Sequence, residues 1–236
     1  MLIGKRICCI ITARKNSKGI KNKNLKIING KPLIYYPIRA AINSKFIDKI
    51  LFNSDSLEMI KKAKSYGAEV SFIRPKKLAL SKTKSVEVLI HHIKKERLDK
   101  NYDYLILLEP TSPLTTSTDI KLASKKLIKK NKVADSLVSV SDGTIPNSNL
   151  KFEIRKNLLF TLEKKKFYTS RRQDMPKNYF IDGSLYITKI KTLMKSKSFI
   201  QKKTTYIKME KHKNFQIDDE IDFEIVKFLM KKFKYR

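Results

Sequence analysis

The stretch ICCIITARKNSKG, residues 7–19, decides the fold class. It begins with an apolar run rich in isoleucine, which predicts a buried β-strand over 7–12, and passes directly into a cationic loop with Ser17 and Gly19. In open α/β sheets, ligands bind at the carboxyl ends of the strands, where backbone N–H groups and lysine or arginine side chains can hold phosphates. Lysines in a polar loop are also commonly solvated, so the composition of the loop leaves both interpretations open.

Strand and helix patterns alternate along the first two-thirds of the chain, which predicts right-handed βαβ units in an α/β fold with a Rossmann-like, mostly parallel sheet flanked by helices. Strands are predicted at 7–12, 49–53, 70–73, 104–108 and 136–140. Helices are predicted at 33–42, 56–66, 85–97 and 117–130.

The alternation stops after residue 140. Residues 142–178 contain an Asp-Gly turn, two prolines and a basic middle, so we expect an excursion from the sheet within a single domain of residues 1–236. Strands are predicted again at 180–188 and 205–209, and a last amphipathic helix at about 219–233.

The net charge of +31 raises the alternative of a nucleic-acid-binding protein, because clustered cations gain affinity by releasing phosphate counterions. Of the 53 basic residues only nine are arginine, and they are spread along the whole chain without an arginine-aromatic stripe. We therefore interpret the lysines as solvated surface and expect no specific nucleic-acid partner. A positive field that attracts anionic substrates is the expected consequence.

The cysteine content and the hydropathy predict a cytoplasmic protein. Cys8 and Cys9 are adjacent on the first strand and point to opposite faces, so they cannot pair with each other. No disulfide framework and no signal peptide are evident. No apolar run approaches the length of a membrane span, so no membrane association is expected.

Further polar residues follow the other predicted strands. Arg74 follows the third strand, and Glu109-Pro-Thr111-Ser-Pro follows the fourth. Residues 217–220, Ile-Asp-Asp-Glu, precede the last helix; they could supply a carboxylate for Mg²⁺ or simply start that helix. The histidines have no second ligand at metal spacing, and we assign them no role.

The chain resembles the CMP-sugar synthetases, specifically the acylneuraminate and legionaminate cytidylyltransferases. ARKNSKGIKNKN at 13–24 is similar to that family's A-R-x-x-S-K-x-I/L-x-x-K-N signature. The other matching segments are FIRPKKLAL at 72–80, LLEPTSPL at 107–114, RRQDMP at 171–176, DGSLYI at 182–187 and IDDEID at 217–222. Their order and spacing agree over nearly the whole chain, from about residue 7 to residue 230.

The resemblance implies a Rossmann-like nucleotidyltransferase fold and a homodimer, with residues 142–178 reaching the partner subunit. It implies a catalytic set of Arg14, Lys18, Lys23 and Asp218, with Asp218 the ligand of Mg²⁺. It places nucleotide contacts on Arg14, Lys23, Asn24, Arg74 and Ser85. It places sugar contacts on Glu109, Thr111, Arg172, Asp182 and Tyr186, with Arg172 as the candidate for the sugar carboxylate.

Three departures from the family pattern bear on the site. Gln216 stands where many relatives have an aspartate, which predicts a metal site with one fewer charge. Thr115 stands where an arginine commonly follows the P-T-S-P-L turn. Residues 180–183, Phe-Ile-Asp-Gly, stand where many sialate enzymes have R-P-N-G.

The function implied is transfer of CMP from CTP to the anomeric hydroxyl of an acidic nonulosonic sugar (sialic, legionaminic or related), with release of pyrophosphate, for surface glycan biosynthesis. The alternatives are a cytidylyltransferase for another 2-keto-3-deoxy sugar acid, the basic nucleic-acid-binding protein, and a degenerate enzyme that binds CTP without turnover.

Overall fold

The structure is a computed structural model, and it describes residues 1–17, 19–142, 152–155, 158–161 and 178–235. The described strands are β1 (Ile7–Thr12), β2 (Ile27–Ile28), β3 (Lys31–Pro32), β4 (Lys49–Asn53), β5 (Tyr104–Leu108), β6 (Ser136–Asp142), β7 (Phe152–Arg155), β8 (Leu158–Thr161), β9 (Tyr179–Lys189) and β10 (Thr204–Lys208). The α-helices are α1 (Tyr35–Asn43), α2 (Leu57–Ser65), α3 (Ser85–Glu96), α4 (Leu98–Asn101), α5 (Ser117–Lys129), α6 (Ile190–Ser196) and α7 (Glu220–Lys232).

The central sheet has six strands in the order β10-β6-β9-β5-β1-β4. β1 pairs in parallel with β4 and β5, and β6 pairs in parallel with β10. β9 runs antiparallel between β5 and β6. The prediction of a mostly parallel sheet flanked by helices is confirmed, and β9 is the strand that runs against its neighbours.

β1 is buried on both faces, as expected for a strand inside a parallel sheet. Cys9 and Ile11 pack into the hydrophobic cluster on one face, and Cys8 and Ile10 into the cluster on the other. Both cysteines are free and fully buried, and burial raises the pKa of each thiol. The predicted separation of the two thiols on opposite faces is confirmed.

Three of the described helices, α2, α5 and α7, begin where a short polar side chain accepts a hydrogen bond from an N–H group of the first turn. The Ser56 hydroxyl accepts a hydrogen bond from the Met59 N–H at the start of α2. Thr116 and Asp119 form a reciprocal capping box at α5, and Asp219 and Asp222 form another at α7.

The predicted strand at 70–73 is wrong. The chain there makes only an isolated bridge one residue earlier, between Glu69 and Leu51. Beyond this bridge, the Arg74 N–H donates to the Ser54 carbonyl, and a 3-10 turn follows at Lys76–Leu78. Residues 70–73 therefore do not continue the pairing with β4 beyond this single bridge.

β9 contains an irregularity opposite Ser139, where the register shifts between Val138 and Val140. The buried Asp182 carboxylate organises it, accepting hydrogen bonds from the Ser139 and Ser141 hydroxyls and, at 2.9 Å, from the Ser184 N–H. Such bulges commonly lie next to functional sites.

Most of the predicted excursion at 142–178 lies outside the described residues. Its described part contains the two-stranded antiparallel sheet of β7 and β8, in which Phe152 is paired with Thr161. In the described part of the chain, no helix has the length and apolar character needed to cross a bilayer.

Candidate active site

A cavity of about 440 Å³ lies at the carboxyl ends of β1 and β5, where the sheet topology predicts ligand binding. The predicted site residues that line it are Arg14, Lys23, Asn24, Arg74, Ser85, Glu109, Thr111 and Asp218. Residues distant in the sequence thus meet in one concave space that contains cations, carboxylates and hydroxyls.

The loop after β1 is held in shape by hydrogen bonds within it and to neighbouring segments. The Asn24 side-chain amide donates to the Arg14 carbonyl at 3.0 Å, and the Lys15 N–H donates to the Asp55 carboxylate at 2.8 Å. Arg14 reaches across the cavity, where its Nη1 donates to the Leu80 carbonyl at 3.3 Å. The loop is therefore preorganised, and Asn24, predicted as a nucleotide contact, also closes it.

Lys23 connects this loop to the acidic segment before α7. Its Nζ donates to the Ile217 carbonyl at 2.6 Å and to Asp218 Oδ1 at 3.1 Å. The Lys23 side chain is only 11% exposed, whereas that of Asp218 is 76% exposed. The ammonium is thus fixed in the wall of the cavity, and the carboxylate remains accessible to a ligand or a cation.

Gly19 lets the two segments approach closely. A Cβ atom at this position would overlap the backbone carbonyl oxygen of Asp218. The need for glycine here comes from a contact across the cavity, so sequence reasoning did not assign Gly19 a role.

Arg74 forms the back wall of the cavity. Its Nε donates to Asn53 Oδ1 and its Nη2 to the Asn53 carbonyl, both at 2.6 Å. The residue is 6% exposed, and burial lowers the pKa of its guanidinium to about 10. Among the described residues no carboxylate forms an ion pair with Arg74. The Arg74 guanidinium remains charged at neutral pH, and the neutral Asn53 amide holds this buried charge in place.

Glu109 lies at the end of β5, where its Oε1 accepts a hydrogen bond from the Ser85 hydroxyl at 3.1 Å. Burial raises the pKa of the Glu109 carboxyl; the Ser85 bond opposes this shift, and the nearby Asp218 charge adds to it. The backbone carbonyl of Thr111 accepts a hydrogen bond from the Ile217 N–H at 2.9 Å. This bond fixes the acidic segment beside the P-T-S-P turn.

Two predicted sugar contacts lie away from the cavity lining. Asp182 is buried in the β9 bulge, with both carboxylate oxygens accepting hydrogen bonds within the sheet. The Tyr186 ring packs against Phe199 with centroids 5.1 Å apart; burial, followed by the charge of Glu109, raises its pKa to about 12. Lys18 and Arg172 lie outside the described residues.

The three departures from the family pattern meet at one place, the β9 bulge. The Thr115 hydroxyl donates to the Ser184 carbonyl at 3.3 Å. The Gln216 amide donates to the Asp182 carbonyl and lies against Gly183, where an added Cβ atom would overlap that amide. The Gly183 φ of +74° independently favours glycine. Residues that look independent in the sequence therefore form one contact set.

The cavity also includes Ser17 and Gly19 of the cationic loop, and four residues to which the sequence analysis assigned no contact: Leu78, Leu80, Ser81 and Thr83. Ser81 and Thr83 come just before α3, and a polar run ahead of a helix was the available signal.

The residues present fit a magnesium ion that is bound chiefly through a substrate. In the part of the chain that the structure describes, no three His, Cys, Asp or Glu side chains form a metal cluster. Mg²⁺ keeps several waters and needs only about one or two carboxylates besides substrate phosphates. The exposed carboxylate of Asp218, facing the same cavity as Arg14 and Lys23, meets that requirement.

A mostly parallel sheet with cationic and acidic loops meeting at its strand ends defines a nucleotidyltransferase fold, and solved structures agree. CMP:2-keto-3-deoxy-manno-octonic acid synthetase complexed with CTP superposes with a TM-score of 0.69 at 14% identity, over 96% of this chain and 99% of that one. A 4-diphosphocytidyl-2C-methyl-D-erythritol synthase from Anaerococcus prevotii superposes with a TM-score of 0.63 at 14% identity, over 98% and 97%.

The family follows from the sequence: the profile of the family described as Cytidylyltransferase matches residues 8–234, and the chain belongs to that family of nucleotidyltransferases. It is 36% identical to the CMP-N,N'-diacetyllegionaminic acid synthase of Campylobacter jejuni, over 95% of this chain and 94% of the relative. It is 35% identical to the post-translational flagellin modification protein B of Campylobacter coli, over 95% of each. It is 30% identical to the Escherichia coli N-acylneuraminate cytidylyltransferase, over 93% of this chain and 51% of the relative.

Proposed function

We propose that this protein transfers CMP from CTP to the anomeric hydroxyl of an acidic nonulosonic sugar, such as sialic, legionaminic or a related acid, and releases pyrophosphate. The observation that carries the proposal is the cavity in which Arg14 and Lys23 of the first loop face Asp218 of the last. The named relatives, which include a diacetyllegionaminic acid synthase and an N-acylneuraminate cytidylyltransferase, support the substrate class. They do not favour a nucleic-acid-binding protein.

In the proposed reaction, the sugar hydroxyl attacks the α-phosphorus, a new P–O bond forms, and the bond to pyrophosphate breaks. Arg14 and Lys23 hold the phosphates and neutralise the charge that develops on the leaving group. Lys18, outside the described residues, joins this set by resemblance. Since Arg14 and Lys23 already hydrogen-bond to the Leu80 carbonyl and to the 217–218 segment, these two groups need little reorganisation in the transition state.

Base and sugar recognition are assigned to the walls of the same cavity. Arg74, Asn24 and Ser85 are proposed contacts of the cytosine and ribose, and Glu109 and Thr111 are proposed contacts of the sugar. Arg172 is proposed for the sugar carboxylate by resemblance. Asp182 and Tyr186 act from behind the lining, Asp182 by shaping the β9 bulge and Tyr186 from its position near Glu109.

Asp218 is the proposed protein ligand of Mg²⁺, with the substrate phosphates completing its coordination. When bound, the ion would neutralise phosphate charge and act as a Lewis acid on the transferred group.

A homodimer and a cytoplasmic location complete the proposal. The start of β9 exposes three consecutive apolar residues, Tyr179, Phe180 and Ile181, an apolar run suited to a subunit interface next in sequence to the segment at 142–178. The two free thiols, Cys8 and Cys9, suit a reducing compartment. Light scattering that gives the mass of a monomer at micromolar concentration would remove the dimer from the proposal.

The test is pyrophosphate release from each of CTP, UTP, ATP and GTP with a panel of sialic, legionaminic, pseudaminic and 2-keto-3-deoxy-octonic acids. We expect turnover with CTP and at least one nine-carbon acid. Arg14→Ala should lose on the order of a hundredfold in rate, the usual effect of removing one charge-stabilising donor. Arg39→Ala, a change of the same type that does not line the cavity, is the matched control. Turnover restricted to the eight-carbon acid, or an unimpaired Arg14→Ala enzyme, would contradict the proposal.

A further inference from the structure

A chain of hydrogen bonds runs from Arg74 in the cavity wall through the protein interior to α3. The Arg74 Nε is 2.6 Å from Asn53 Oδ1, and the Asn53 Nδ2 is 2.9 Å from His92 Nδ1. The other ring nitrogen of His92 is 2.7 Å from Glu96 Oε1, and Lys49 donates to Glu96 Oε2 at 2.8 Å. His92 is a residue to which the sequence analysis assigned no role.

The donors and acceptors of this chain permit one orientation only. The Arg74 Nε–H can only donate, so Asn53 must present its oxygen to it and its NH₂ group to His92. The NH₂ group also only donates, so His92 Nδ1 must accept, and the ring proton is therefore on Nε2, where it donates to Glu96.

Burial makes this orientation costly to lose. Asn53 and His92 are each 1% exposed and Arg74 is 6% exposed, so bulk water does not reach the bonds between them. If the Asn53 amide turned over, its NH₂ group would face the Arg74 Nε–H, leaving two buried donors in contact without an acceptor.

We propose that His92 is a positioning residue for CTP binding, which acts through the Asn53 amide to hold the Arg74 guanidinium in the cavity wall. The inference rests on the proposed function, which places Arg74 on the nucleotide. A merely structural His92, packed against the Phe72 ring at a centroid distance of 4.7 Å, would affect stability but not nucleotide affinity.

Two substitutions separate these roles because they replace different ring nitrogens. In His92→Asn the side-chain oxygen falls near the former Nδ1 and can still accept from Asn53, while the contact with Glu96 is lost. In His92→Gln the longer side chain places its amide near the former Nε2, so the contact with Glu96 is kept and the acceptor for Asn53 is lost.

The experiment is calorimetric titration of the full chain with CTP, and separately with inorganic pyrophosphate, in the absence of sugar. We expect His92→Gln to weaken CTP binding about tenfold, the effect of losing one buried hydrogen bond. His92→Asn should stay within about threefold of the wild type, because the bond to Asn53 is retained. Pyrophosphate should bind all three proteins equally, since Arg14 and Lys23 are unchanged. Equal CTP affinity in His92→Gln and the wild type, or a loss in His92→Asn as large as in His92→Gln, would overturn the inference.

Two further proteins keep the test decisive. Arg74→Ala measures the largest loss of CTP affinity that this chain of hydrogen bonds can cause. If this variant binds CTP like the wild type, the proposed role of Arg74 fails and not merely that of His92. In Asn53→Asp the carboxylate accepts from Arg74 whatever His92 does, so adding His92→Gln should cost less than about twofold in that background. An equal cost in both backgrounds would mean that His92 does not act through Asn53.

Discussion

The Nζ atom of Lys23 lies 3.1 Å from Oδ1 of Asp218, which places the first loop and the last acidic segment in direct contact across the cavity. Each residue offers the charge that a magnesium–nucleotide complex would use, the ammonium for phosphate and the carboxylate for the metal ion. The ion pair keeps both side chains at the site.

Substituting Lys23 and Asp218 one at a time should distinguish the phosphate role of the first from the metal role of the second. We expect Asp218→Asn to raise the Mg²⁺ concentration for half-maximal activity at least about tenfold, because a neutral amide replaces the proposed carboxylate ligand. Lys23→Ala should lower turnover by about a hundredfold without changing the requirement for Mg²⁺. Magnesium titrations of pyrophosphate release measure both effects.

The exposed ion pair of Lys26 with Glu220, close to the first pair in the fold, supplies the matched control. Glu220→Gln removes an acidic charge from the same segment, but it should leave the magnesium titration unchanged because Glu220 does not line the cavity. If Asp218→Asn showed the wild-type titration, the acidic segment would only start α7.

The close approach at Gly19 predicts that Gly19→Ala is harmful. The added methyl group would overlap the Asp218 carbonyl, so the two loops must move apart, at a cost of about 1–3 kcal/mol in unfolding free energy. Gly30→Ala is the control, because its φ of +74° strains a side chain while no atom lies within 4 Å of the new Cβ. Thermal unfolding should reveal a loss in both variants, and only Gly19→Ala should weaken CTP binding.

We expect the buried Glu109 carboxyl to lower the free energy of unfolding in a pH-dependent way. Its folded-state pKa is raised, so the folded protein binds more protons than the unfolded chain, and this group destabilises the fold as pH rises above the ordinary glutamate value. Glu109→Gln, which can still accept from Ser85, should raise the unfolding free energy at neutral pH by about 0.5–2 kcal/mol. The gain should disappear below about pH 4, where the carboxyl is protonated in both states. Chemical denaturation at several pH values measures it, and a gain that persists in acid would contradict the assignment.

Gln216 should matter through its hydrogen bond rather than through a metal. In Gln216→Glu, a carboxylate would face the Asp182 carbonyl, so the unfolding free energy should fall by about 1–3 kcal/mol at neutral pH. At low pH the protonated carboxyl can donate to the same carbonyl, and the difference from the wild type should shrink. A Gln216→Glu protein as stable as the wild type at neutral pH, yet active at lower Mg²⁺, would place this residue in the metal site instead.

The sequence predicted the elements that short-range patterns control. The predicted bounds of β1, β4 and β5 match the structure. β1 and β5 are apolar runs inside the sheet, and β4 is an edge strand with three consecutive apolar residues, 50–52, at its centre. The loop at 13–24 and the resemblance it carries pointed to the correct family and to residues that the structure brings to one cavity. The strand predicted at 70–73 failed because β-propensity alone does not form a strand where no partner extends the ladder.

By itself, the sequence determined the alternation of strands and helices, the cationic loop after β1 and the family. Each of these depends on patterns among residues that are close together in the sequence. Only the tertiary structure decided that Lys23 contacts Asp218, which is 195 positions away, and that Thr115 and Gln216 meet at the bulge of β9. It also decided that His92 stands behind Arg74 rather than on a solvated helix face. Such contacts depend on how whole elements pack and on which buried polar groups then need partners, and no local pattern contains that information.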